Sequence, residues 1–97
     1  MIYDSRIEGR RLHAEHPKDF TKTGWLTAHA LDKGTVENIK TELLNMYLFK
    51  RPGLYHVEIW FNPVPYTKTK RTFFRLTAAR AWLKSHIPAP RRAREAQ

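Results

Sequence analysis

Ninety-seven residues, 41% of them hydrophobic and with three Trp, four Tyr and five Phe, suffice for one domain with a single modest core. The chain has no cysteine, which excludes disulfides and thiolate zinc sites, and no apolar run approaches the ~20 residues of a membrane helix. A net charge of +9 then asks where the positive residues sit.

They sit in the second half. Residues 1–49 balance seven basic side chains (Arg6, Arg10, Arg11, Lys18, Lys22, Lys33, Lys40) against seven acidic ones. Residues 50–97 carry eleven basic side chains against only Glu58 and Glu95. Such asymmetry favours an acidic partner, either nucleic acid or an acidic protein surface. The start, "MIYDSRIEGRR", lacks the apolar stretch of a signal peptide, so a soluble, cytoplasmic protein is expected, with no membrane partner.

In chain order, residues 1–23 show no sustained period, and Pro17 interrupts any helix running through them. They are expected to form a flexible arm, with Ile2, Ile7 and Leu12 able to supply a short strand or pack on the core. "GWLTAHALDKG", between Gly24 and Gly34, suits a strand or a short helix. Residues 35–50 predict a helix. Thr35 is placed to cap it, and Val36, Ile39, Leu43, Met46 and Tyr47 recur at helical spacing, widened by Leu44 and Leu48. "RPG" would stop it at Pro52 and Gly53.

Two strands follow, at 54–61 and 71–77. Alternation in the first sets Tyr55, Val57, Ile59 and Phe61 on a core face and Leu54, His56, Glu58 and Trp60 on the other. In the second, Thr72, Phe74 and Leu76 share the core face, opposite Arg71, Phe73, Arg75 and Thr77. The nine residues from Asn62 to Lys70 make the connection, longer than the ~2–5 of common hairpins. A last helix spans 78–86, capped by Thr77 and packing through Ala79, Trp82 and Leu83. The basic segment 87–97 reads as a tail. The expected architecture is a single α+β domain with an ordered core at 24–86: a small antiparallel sheet with a long-looped hairpin, packed by two helices.

Few of these residues suit catalysis. His13, His16, Glu15 and Asp19 lie close in sequence, but no scaffold for a full metal-ligand set accompanies them, so neither metal nor other cofactor is expected. No P-loop, G-x-S-x-G or GxGxxG segment is present. A metal-independent ribonuclease would recruit His56, Tyr66, Lys68 and Arg75. That is the third reading, and no catalytic residue is assigned.

Binding has more support. Lys50, Arg51, Lys68, Lys70, Arg71, Arg75 and Arg80 surround the hairpin, where Trp60 and Phe73 would offer stacking platforms to unpaired bases of DNA or RNA. The same side chains suit a protein interface, for which Trp, Tyr and Arg are the favoured anchors. The expected partner-binding set is therefore Trp60, Pro63, Pro65, Tyr66, Lys68, Lys70, Arg71, Phe73 and Arg75. In "FNPVPYTKTKR", Pro63 and Pro65 stiffen the loop and lower the entropy lost on docking. Both X-Pro bonds populate cis more readily than other peptide bonds, which makes a prolyl isomerase a candidate partner. Edge protection is the alternative use of such prolines.

With this loop, its length and no catalytic set, the chain resembles the small early proteins by which temperate phages redirect host enzymes. Among these it is similar to the anti-RecBCD proteins of lambdoid phages. The resemblance implies a non-enzymatic modulator or inhibitor of a host DNA repair and recombination nuclease, engaging RecBCD through RecC in the host cytoplasm. The positive charge argues against DNA mimicry, since mimics that plug a DNA channel are acidic. Docking on an acidic outer surface, or bridging enzyme and DNA, is the consistent form, and direct nucleic-acid binding is the alternative.

Overall fold

The computed structural model describes residues 4–62 and 67–87. Seven elements follow in order: α1 (Ser5–Glu15), α2 (Ala28–Asp32), β1 (Thr35–Lys40), β2 (Leu44–Arg51), β3 (Leu54–Phe61), β4 (Thr67–Phe73) and α3 (Leu76–Ser85). The four strands form an antiparallel meander in the order β1-β2-β3-β4, packed against helices, so the α+β expectation holds.

The helix expected over 35–50 is a hairpin. Thr41 turns the chain without glycine or proline: its N–H donates to the Leu44 carbonyl (2.8 Å), and its hydroxyl accepts from the Leu44 N–H (3.0 Å). The Thr35 hydroxyl caps nothing and donates instead to the Leu31 carbonyl. β-Branched Thr35, Val36, Ile39 and Thr41 suit extended backbone. The helical spacing arose because β2 is covered on both sides. Leu44, Met46 and Leu48 face one layer and Phe49 the other, giving a near-continuous apolar run whose period is ambiguous. "RPG" is not a helix stop but a two-residue turn between Arg51 and Leu54, with φ of 78° at Gly53.

Residues 5–15 form a helix, where no period was legible. The Asp4 carboxylate accepts the Arg6 N–H (2.9 Å), and Pro17 lies beyond the helix end at His16, so it limits α1 without breaking it. The expected nine-residue loop is shorter. β4 begins at Thr67, leaving residues 62–66 as the connection, because "TKTK" is an edge strand whose lysines resemble a polar loop. α3 begins at Leu76, two residues earlier than expected, with Arg75 and not Thr77 in the capping position.

Two cores sandwich the sheet. Leu44, Met46, Leu48, Val57, Ile59 and Phe73 pack against Ala79 and Leu83 of α3. On the opposite face, Phe49 and Leu54 pack against Leu12 of α1, Ala30 of α2, and Phe20 and Leu26 from the segment between those helices. Residues Leu54 and His56 to Ile59 are therefore all buried, correcting the expectation of an open second face.

Leu48 and Leu43 separate the two readings of this region. Leu48 is fully buried and Leu43 is 62% exposed, although the helical stripe included both. Leu48→Ala should cost about 2–5 kcal/mol in urea unfolding, and Leu43→Ala less than about 0.5 kcal/mol. Comparable losses at both positions would contradict the hairpin.

Candidate anion-binding cleft

The cleft lies where α1 crosses β4, with a volume of about 250 Å³. Arg6, Gly9, Arg10 and His13 succeed one another at three- and four-residue steps, so one face of α1 supplies one wall. Lys22, Thr23 and Gly24 supply a second, Lys70, Arg71 and Thr72 of β4 a third, and His56 of β3 also lines it. Among the described residues, no acidic side chain lines it.

Lys70 is held in place on several sides. Its Nζ donates to the Thr23 carbonyl and stands 4.6 Å from the centre of the Trp25 ring. Gly24, at φ 85°, leaves the room: a Cβ there would lie 2.9 Å from the same Nζ. Burial lowers the Lys70 pKa below the ordinary lysine value, while the charge of Glu58 pulls it upward. Arg71 contributes less charge than its position suggests. Its cross-strand partner is Val57, on the α3 side of the sheet, and its guanidinium stands 5.3 Å from the Phe73 ring centre on that side.

Beside the cleft lies a fully buried acid. One oxygen of Glu58 accepts from the Trp60 indole N–H (2.9 Å); the other accepts from the Leu26 backbone N–H and contacts His56 Nε2 (2.9 Å). Trp60 and Leu26 are fixed donors to it, and an ionised carboxylate only accepts, which assigns the hydrogen of the His56 contact to Nε2. His56 Nδ1 is buried and has no hydrogen-bond partner among the described residues.

The expected binding set does not assemble as one surface. Phe73 is buried against Trp82 of α3, and Trp60 lies on the opposite sheet face, half-buried edge-to-face with Trp25. They do not form a paired stacking platform, because β4 pairs Phe73 with Tyr55 and so turns it to the α3 core. Phe74, expected inside, is 42% exposed. Lys68 and Arg75 are exposed, and Pro63, Pro65 and Tyr66 lie outside the described residues. Arg51 pairs with buried Asp19 and so serves the fold, and Arg80 pairs with Glu37 at 3.3 Å on the surface.

The side chains sequence reasoning missed are Arg6, Arg10, His13 and Lys22, all from the charge-neutral half. Their signal was the i, i+4, i+7 spacing of Arg6, Arg10 and His13, readable once residues 5–15 are taken as helix. As for metal chemistry, Glu15 pairs with Arg11 (2.6 Å) and Asp19 with Arg51, while His13 faces the Phe20 ring at 6.3 Å. Among the described residues, no cluster of three or more His, Asp or Glu side chains is placed to hold a metal. No protein-family model matches the chain, and neither a curated protein nor a solved structure matches it.

The lowered pKa of Lys70 sets a sign for stability against pH. Between that value and 10.5, the unfolded chain keeps a proton that the folded chain has released, so this lysine's contribution rises with pH across that window and is constant below it. Thermal unfolding of wild type and Lys70→Met should therefore diverge in favour of wild type as pH climbs towards 10.5. Parallel profiles would show that Lys70 is not desolvated.

Proposed function

We propose that the protein is a nucleic-acid-binding module that holds the sugar–phosphate backbone of a strand in the α1–β4 cleft. The observation that carries this is the convergence of Arg6, Arg10, Lys22 and Lys70, from three separate segments, on one concave site with no acid among its described lining residues. A phosphate placed there replaces water with several charged N–H donors, and each contact releases condensed counterions. Lys68, two residues before Lys70 on β4, is exposed and adds a further positive charge near this site. Recognition is led by the backbone, since Phe73 is buried and unavailable to bases.

A second reading is docking on a protein of a host DNA repair and recombination complex, with RecC as the candidate partner. Leu43 and Phe61 favour it: they are 62% and 45% exposed at the end of the sheet where the proline-bearing connection leaves β3. Such apolar side chains suit a protein partner better than a phosphate backbone. The modulation of a nuclease would then come from the loop end, and strand binding from the cleft.

The two readings differ in salt dependence. Four phosphate contacts to a single strand predict that log K falls with log salt at a slope near −3, and Arg10→Ala or Lys22→Ala should each flatten it by about 0.7. Oligonucleotide titrations at several salt concentrations measure this. A slope near zero, or one that neither substitution changes, would contradict the cleft as the binding site.

A further inference from the structure

We infer that the cleft distinguishes RNA from DNA by accepting a hydrogen bond from a ribose 2′-hydroxyl on Nδ1 of His56. The inference rests on the nucleic-acid reading and names the class of strand. His56 lines the cleft and is only 3% exposed. Its Nε2–H is committed to the Glu58 carboxylate at 2.9 Å, so in the neutral ring Nδ1 is a bare acceptor. No described group donates to it.

A buried acceptor without a donor is costly, and a ligand that supplies the donor recovers that cost. Phosphate oxygens only accept, so they gain nothing from a neutral Nδ1 and belong with Arg10, Lys22 and Lys70. The group that sits one sugar away from a bound phosphate and can donate is the 2′-hydroxyl, the feature that separates RNA from DNA. A volume of about 250 Å³ falls just below the ~300–1,000 Å³ of common small-molecule clefts and suits a phosphate with its sugar. Nδ1 is covered in the free protein, so the hydroxyl reaches it only as the groups over it, at the floor of the cleft, give way on binding.

The test uses single strands of one sequence as RNA, 2′-fluoro RNA and DNA, titrated into the full-length protein at low salt. RNA should bind about tenfold more tightly than either analogue, because fluorine cannot donate and deoxyribose lacks the group. The nitrogen resonance of His56 Nδ1 should shift with RNA and stay in place with 2′-fluoro RNA. Equal affinities for RNA and 2′-fluoro RNA would overturn the hydroxyl contact while leaving backbone binding standing. Failure of all three strands to bind would overturn both.

Discussion

A carboxylate in the middle of the central sheet is the constraint on which the structure depends. Glu58 is fully buried in β3, where an unpaired charge would cost several kcal/mol. It is satisfied by donors from two strand neighbours, His56 and Trp60, and by the backbone of Leu26 from the opposite layer. That last bond ties the α1–α2 segment to the sheet at a defined point. Trp60 is drawn to the same oxygen pair, which brings its ring against Trp25, and Trp25 in turn supports Lys70. One acid thus positions a histidine, two indoles and a cation.

The cleft follows from this arrangement. α1 covers the sheet through Leu12, and the turn of its helix carries Arg6, Arg10 and His13 towards β4. The segment from Phe20 to Leu26 doubles back as a small bridged loop, with Gly24 at its bend. It meets α1 through Phe20, which packs against Leu12 and His13, and the cleft beside that contact is walled largely by cations, of which Arg6 has Asp4 3.8 Å away. Glu8 and Glu15 are paired with Arg11, and Asp19 with Arg51. Net charge alone therefore misplaces the positive site: part of it is built from the half of the chain whose charges sum to zero.

The fold class and β3 were legible in the sequence because "LYHVEIWF" is rich in β-branched and aromatic residues and follows a Pro-Gly turn. Residues 35–51 were not, since a strand buried on both faces loses its alternation and its Thr41 turn lacks glycine or proline. β4 was half legible: "RTFF" has strand character, but the register that sends Phe73 inward is set by pairing with Tyr55. The paired aromatic face failed for the same reason, because alternation states which residues share a side but not which side is covered. α1 was hidden by mixed charge and few apolar residues, and with it three of the cleft's side chains.

The coupling of the two layers through Glu58 is tested most directly by hydrogen exchange at the Leu26 amide and the Trp60 indole. Both N–H groups are bonded to this carboxylate, so both should exchange only on the timescale of β3 core amides, through global unfolding. Exchange of either at the rate of exposed loop amides, while β3 stays protected, would mean that the carboxylate does not hold the layers together.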